Sequence, residues 1–487
     1  MTVRIAILGS GFSSLSAATY LQKYGCQVTV FEKNEQIGGR ASVLEENGFR
    51  FDMGPSWYWM PDVFERYFAD FNYKPSDFYS LEKLDPAYRV IFGENDSIDI
   101  SANLEEVIST FENIDPGSGK PLRKFMQQSR DNYSIAMQDL VYEPGIRITE
   151  LITPATAKKL NLFVQNISGQ TSKITSDPRL QSILDFPVLF LGAKPQNTPA
   201  FYNFMNWADF GLGTWYPQGG MHQIVQAMER IALELGVEFH TDNQVTKLEV
   251  HDQRIKTVHT NTGTYEFDVV VSGADYAATE QLLDSKFRNF TDQYWQKKTF
   301  APSAILFYLG INQKVEKLLH HNLFFDTDFN QHAREIYDKP AFPQKPLFYA
   351  NFSSKTDSSL APEGKDSGFI LIPVAVDLED DEQIHQHYYE LVMERLEKFT
   401  GQALREYVEY KKSFGVQDFK TRYNSCRGNA YGLANTLMQT SVLRPGIRNK
   451  KLKNLFYTGQ LTVPGPGVPP ALISGKIVAD FIKKNVI

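Results

Sequence analysis

The opening stretch, from Val3 to Glu32, constrains the fold more than any other part of this chain. Val3 to Leu8 are mostly β-branched or aliphatic, with no alternation, and read as a buried parallel strand. Gly9-Ser10-Gly11-Phe12-Ser13-Ser14 follows, then the helical pattern LSAATYLQKYG, then a second strand, QVTVFEK, that ends at Glu32. Strand, glycine turn, helix and acid-terminated strand make the βαβ unit that seats a dinucleotide. Gly9 permits the tight turn. Gly11 lets the backbone approach a pyrophosphate lying on the helix start, where Phe12 and Ser13 stand. Glu32, followed by Lys33, reaches the adenosine ribose, and an acid there favours FAD or NAD over NADP. The third glycine of the pattern is replaced by Ser14, at the position that packs helix against strand, where serine is small enough.

The residues after Glu32 separate FAD from NAD. EKNEQIGGRAS places Gly38-Gly39-Arg40 directly behind the ribose acid, and GFRFDMGPSWYWMP follows. A second glycine pair with an arginine at this distance resembles the extended FAD signature of the amine oxidase and carotenoid desaturase superfamily. That resemblance implies close backbone approach at Gly38 and Gly39 and a positive charge from Arg40 near the diphosphate or flavin. It also adds Lys33, Gly54, Pro55, Ser56 and Trp57 to the cofactor-binding set.

Near the C-terminus, NLFYTGQLTVPGPGVPPALISGK has no charge between Lys453 and Lys476, long enough for a membrane span. Pro464, Pro466, Pro469 and Pro470 exclude one continuous helix. The segment parses as a buried strand at Leu455 to Tyr457, a loop from Gly459 to Gly467, and a helix from Pro469, where proline is tolerated. Between these ends, YPQGGMHQIVQAMERIALELG reads as a helix opened by Gly219-Gly220-Met221 and closed by Gly236. Strands QVTKLEV, RIKTVHT and TYEFDVVVSGAD follow.

Together, GSGFSSLSAA, VFEKNEQIGGRA, YPQGGMHQIVQAM, HHNLFF, GNAYGLANTLMQTSVLRP and FYTGQLTVPGPGVP resemble a bacterial carotenoid desaturase of the phytoene desaturase type, from the first strand to the last helix. The implied fold is α/β: a discontinuous Rossmann-type FAD-binding domain (1–85, 207–291, 416–487) and an α+β substrate-binding domain with a helical lid (86–206, 292–415). The resemblance places Val245 by the adenine, Gly459 and Gln460 by the ribityl and diphosphate, and Gly467 and Val468 by the isoalloxazine. Relatives often carry an acid where this chain has Gln460. No cysteine stands in the tail where monoamine oxidases attach flavin, so the implied FAD is noncovalent.

The implied reaction removes a hydride and a proton from adjacent allylic carbons of phytoene, extending conjugation towards lycopene. A carotenoid isomerase, or a later-step desaturase acting on a hydroxylated or cyclic carotenoid, shares the same motifs. An amine oxidase, and a flavin-free prenyl-protein binding module, are more distant readings. Trp57, Tyr58, Trp59 and Met60, and the run ILDFPVLFLGAKP broken by Pro187, are candidates for either a substrate tunnel or plain core. Asp139, Glu143 and Arg147 read as a solvated face, and no catalytic residue is identifiable.

Composition narrows the partners. A net charge of −7 argues against nucleic acid. Two cysteines, Cys26 and Cys426, fit a reducing compartment rather than a disulfide framework. His385 with His387, and His320 with His321, are not spaced as metal ligands on a helix, so no metal is expected. No secretory leader and no spanning helix are read. The expected setting is cytoplasmic, on the inner face of the cell membrane, with peripheral contact and a quinone or dioxygen as electron acceptor.

Overall fold

Strand Arg4–Leu8 is the middle strand of a five-stranded parallel sheet in the order Leu455–Tyr457, Val269–Ser272, Arg4–Leu8, Gln27–Phe31, Glu238–His240. The computed structural model describes residues 2–151, 153–436 and 438–487. Successive side chains of a strand point to opposite faces. Ile5 and Ile7 therefore pack with Leu15, Leu21, Met228 and Val478 of a helical layer, made by Phe12–Lys23, His222–Leu235 and Val468–Asn485. Ala6 and Leu8 face the other way, onto Leu248, Ile255 and Val258. These belong to a three-stranded antiparallel sheet, Val245–His251, Arg254–Thr260 and Thr264–Glu266. Both faces being covered explains the unbroken apolar run in the sequence.

A seven-stranded mixed sheet forms the second layer system. Its order is Val408–Phe414, Ser303–Ile311, Asp366–Val374, Phe348–Asn351, His321–Phe324, Tyr88–Gly93, Asp96–Ile100. Ile305, Phe307 and Leu309 pack beneath the helix Glu382–Thr400 through Tyr388, Val392 and Leu396. That helix ends at Gly401 (φ +75°), a left-handed C-terminal residue. The alternate residues Ala304, Leu306 and Tyr308 turn to the opposite face, where Tyr308 donates to the Met53 carbonyl at 2.9 Å. This hydrogen bond ties the mixed sheet to the loop that follows the second glycine pair.

Between Leu104 and Gly211 the chain is largely helical, with π-turns at Ala136–Leu140 and Trp207–Gly211. The segment PATAKKLNLFVQNI forms two short helices, Pro154–Ala157 and Leu160–Val164. Two local readings are corrected. Helix Pro178–Leu189 runs through Pro187, which forgoes the N–H bond to the Ile183 carbonyl while Ile183, Leu184 and Phe186 stay buried. TYEFDVVVSGAD holds two strands, Thr264–Glu266 and Val269–Ser272, in different sheets. The Asp139 side chain lies outside the described residues; Glu143 and Arg147 are exposed.

Candidate functional site

The cradle begins where strand Arg4–Leu8 stops. Gly9 (φ +83°) donates its N–H to the Phe31 carbonyl at 2.8 Å, and a β-carbon there would press on Ala274 N at 3.3 Å. The next helix starts at Phe12 with no side chain capping its N–H groups and no acid in its first turn. A free helix start of this kind faces an anion. Ser14 does not line the cavity. Its buried hydroxyl sits over Gly273, where a β-carbon would fall 2.0 Å away, so the serine consumes the space the third glycine would leave.

Glu32 is buried with its carboxylate already oriented. One oxygen accepts from Ser10 N–H (2.9 Å) and Ser10 Oγ (2.6 Å), the other from the Asn34 backbone (2.9 Å) and side chain (3.0 Å). Lys33 donates to Thr421 O and to Asn424 Oδ1 (2.9 Å), drawing Val416–Tyr423 against the cradle. The second glycine pair nests on the first: Gly38 N–H reaches Ser10 O at 3.1 Å, and a β-carbon on Gly39 would touch Gly11 Cα at 3.4 Å.

Arg40 is part of this nest. It donates to Ser425 Oγ (3.0 Å) and Asn429 O (3.2 Å), while its Nε is buried without a partner. With the Gln460 amide turned to satisfy its neighbours, its oxygen accepts from both Arg40 terminal nitrogens at 3.0 Å. Burial pulls the Arg40 guanidinium down from its usual range, against the pull of nearby Asp275, whose own carboxyl burial pushes up. Gly54 lies on Arg40, a β-carbon there falling 2.5 Å from Arg40 O.

From the far end, Gly459 (φ +102°) passes over Ser13, and its N–H donates to Ser474 Oγ at 2.9 Å. Gly467 (φ +114°) precedes helix Val468–Asn485, whose start also has no side-chain cap. Arg444 pins this loop by donating to Thr462 O (2.8 Å) and Gln460 O (2.7 Å), and also holds Gln439 O (3.0 Å). Burial without an acidic partner lowers it to about 10.

All of these segments line one cavity of about 670 Å³. Gly9, Gly11, Phe12, Ser13, Glu32, Lys33, Gly38, Gly39, Arg40, Gly54, Pro55, Ser56, Trp57, Val245, Gly459, Gln460, Gly467 and Val468 all reach it. The cavity then continues between the helical region and the mixed sheet, past Trp59, Phe186, Phe190, Leu306, Leu323 and Phe369. Of the tunnel candidates, Trp57, Trp59 and Met60 line the cavity, and Tyr58 is core. In ILDFPVLFLGAKP, Phe186 and Phe190 line it while Ile183 and Val188 pack inside.

Sequence reasoning missed Asp275. It caps Tyr276–Gln281 through Ala277 and Ala278 N–H, accepts from Cys426 N–H at 3.0 Å, and lines the cavity near Arg40. The run of small residues Ser272-Gly273-Ala274 at a strand end was the available signal. Among the described residues no cluster of His, Cys, Asp and Glu is arranged to hold a metal ion.

Two uncapped helix starts, nested glycines a β-carbon would fill, an acid oriented at the second strand and an unpartnered buried guanidinium nitrogen suit an FAD diphosphate, ribose and flavin. Fold and site define an FAD-dependent oxidoreductase of the two-lobed kind. The chain matches the family model for flavin containing amine oxidoreductases over residues 12–482. It is 42% identical to the carotenoid 3,4-desaturase of Haloarcula japonica over 99% of this chain and 98% of that protein. It is 31% identical to the zeta-carotene-forming phytoene desaturase of Myxococcus xanthus, over 98% and 93%. A solved oxidoreductase from Methanosarcina mazei shares the fold, with a TM-score of 0.65 at 17% identity, covering 98% of this chain and 100% of that one. The chain belongs to the flavin containing amine oxidoreductase family, in the group that holds the carotenoid desaturases.

Proposed function

We propose that this protein desaturates a carotenoid, acting near one end of an already extended polyene. The observation that carries this is one continuous cavity whose dinucleotide cradle opens into an aromatic and aliphatic space. When bound, FAD accepts the hydride. The chain's own residues do the rest. Glu32, the uncapped helix starts and Arg40 hold the cofactor. The walls at Trp57, Trp59, Phe186 and Phe190 align a substrate with almost no polar handles and exclude water. A step late in conjugation is favoured over phytoene by the 42% full-length identity to a 3,4-desaturase, against 31% to a phytoene desaturase. The second reading is phytoene itself, converted towards lycopene.

The same reading assigns the cofactor to 1–85, 207–291 and 416–487, and the substrate to 86–206 and 292–415. In its support, all strands of the parallel sheet come from the first set and all strands of the mixed sheet from the second. It makes the FAD noncovalent. Neither cysteine lines the cavity, and the lining His332 has both ring nitrogens engaged by Pro373 O and Leu347 N–H.

Among the described residues no helix is long and apolar enough to cross a membrane. Ile148, Val164 and Met438 are 59%, 81% and 71% exposed. Phe163, beside Val164, and Thr440 and Ser441, just after Met438, line the cavity. We place this rim against the inner face of the cell membrane, where the carotenoid and a quinone acceptor dissolve; dioxygen is the alternative acceptor.

The test is incubation of the FAD-loaded protein in liposomes, with a quinone, against phytoene and against lycopene or its hydroxylated relative. A red shift of the conjugated substrate with phytoene unchanged supports the late step. New visible bands from phytoene replace it with the first.

A further inference from the structure

Desaturation releases a proton as well as a hydride, and the proton needs a path out of the apolar half of the cavity. Of the lining titratable groups away from the cradle, His332 is tied to backbone on both nitrogens, Lys194 is paired with Asp338 at 2.7 Å, and Glu143 is exposed. One polar chain leads out. Tyr349 lines the cavity, as does Ser56, with their hydroxyls 3.0 Å apart. The Tyr349 hydroxyl also lies 2.6 Å from His321 Nδ1. The His321 ring is stacked on Trp57, a cavity residue, at 4.0 Å and 9°. His320 follows, its ring centroid 4.3 Å from that of His321, and its Nδ1 is 2.8 Å from Thr356 Oγ1. Thr356 is partly open to solvent.

The two Nε2 atoms distinguish this pair from a structural one. Both are buried and neither has a hydrogen-bond partner. Buried polar groups are ordinarily satisfied, and an exception asks for a reason. By contrast, the buried His332 is satisfied on both ring nitrogens. Two unsatisfied Nε2 atoms thus sit on adjacent rings whose centroids are 4.3 Å apart.

We infer that Tyr349, His321 and His320 form a relay that carries the proton lost in desaturation from the cavity to solvent at Thr356. This rests on the desaturase reading above. The hydride leaves one allylic carbon with its electron pair, which reduces the oxidised flavin. The neighbouring C–H bond then breaks, and its electrons form the new double bond. The released proton adds to the Tyr349 oxygen as the phenolic proton passes to His321 Nδ1. The His321 Nε2 proton passes to His320 Nε2, and the His320 Nδ1 proton passes through Thr356 Oγ1 to water. Reversal of the two tautomers resets the chain. The carbon that has lost a hydride is a cation conjugated with the polyene, and its neighbouring proton is acidic enough for a neutral acceptor.

The surroundings keep both rings neutral and so able to accept. Burial lowers His321 well below the usual histidine range and His320 to about 3. The titratable groups facing the pair are each other, Asp357 and Tyr216, whose ring stands edge-on to His320 at 4.7 Å. Asp357 is engaged by Gly219 N–H, Ser359 and Tyr216. Asn351 Nδ2 lies 3.3 Å from His321 Nδ1, and Asp52 and Tyr431 face Tyr349.

The experiment compares wild type, Tyr349→Phe, which removes one oxygen, and His321→Phe, which keeps an aromatic face on Trp57. All three are FAD-loaded and supplied with the carotenoid that the wild type turns over. Wild-type turnover settles the substrate reading by itself; only the variants address the relay. Expected are a fall in kcat of about 100-fold in both variants and loss of the wild-type solvent deuterium isotope effect. FAD content, carotenoid dissociation constant and thermal midpoint stay unchanged. Wild-type rates in both variants, an isotope effect that persists in them, or a rate loss matched by lost carotenoid binding would each overturn the relay.

Discussion

Gly475 of the last helix lies against the backbone of Ser13 in the first. A β-carbon built on it falls 2.3 Å from Ser13 O and 2.6 Å from Ser16 Cβ. The same helix pair is joined by the Ser16 hydroxyl, which donates to Leu472 O at 2.7 Å. Gly475→Ala gains about 1 kcal/mol of helix propensity, but overpacking against backbone costs roughly 1–3 kcal/mol. The expected outcome is a lower thermal midpoint and faster FAD loss on dilution, followed by flavin fluorescence.

Glu32→Ala removes the acceptor of two backbone N–H groups and two side-chain donors. Hydrogen bonds to a charged group are worth about 1.5–3 kcal/mol, so FAD affinity should weaken by at least about tenfold. Titration calorimetry of the apoprotein with FAD measures it. An unchanged dissociation constant would remove Glu32 from the cofactor set.

Gln460→Glu places a carboxylate against Arg40, beside the expected flavin. An added negative charge disfavours the reduced, more anionic cofactor. The two-electron potential of bound FAD should fall, by about 30 mV for each 1.4 kcal/mol of repulsion. Spectroelectrochemical titration reads it directly, with wild type as the reference.

Asp209 gives a pH signature. It is buried, accepts from Tyr88 OH at 2.7 Å, and burial raises its carboxyl to about 8. In the unfolded chain an aspartate titrates near pH ~3.9. The folded state therefore holds the proton more tightly. Its stabilising effect is complete below about pH 4 and is lost as pH rises towards about 8, at up to roughly 1.4 kcal/mol per unit. Asp209→Asn should flatten the decline of thermal midpoint between these limits and be relatively more stable than wild type above neutrality. Parallel curves for the two proteins would contradict this.

Ile148→Asp combined with Val164→Asp puts two charges on the exposed apolar rim. Flotation with anionic liposomes should drop, while FAD content and turnover of detergent-solubilised carotenoid hold. Equal flotation of variant and wild type would remove the rim as the membrane-facing surface.

The cradle was legible in sequence because local chemistry dictates it. A left-handed residue at Gly9 and an acid at the end of a strand are written in neighbouring residues. The same is true of the uncapped helix start after Gly467. Asp275 and Arg444 were not legible, since each matters through partners far along the chain: Cys426 N–H for one, the Gln460 and Thr462 carbonyls for the other. The relay was hidden for the same reason. His320 and His321 stand together in sequence, yet only the tertiary fold shows that Tyr349 meets one ring and Thr356 the other. Helix Pro178–Leu189 was obscured because proline propensity was set against tertiary packing, and packing won at a helix end.

The parallel sheet takes its central strand from the beginning of the chain and its edge strand, Leu455–Tyr457, from near the end. During synthesis the first helix must wait, one apolar face uncovered, until Val468–Asn485 has left the ribosome. Contacts this distant in sequence form slowly, and until they form the cofactor site lacks the wall that this helix supplies. The newborn protein therefore spends its most vulnerable interval with the cofactor site half built, when chaperones and free FAD compete for it with aggregation.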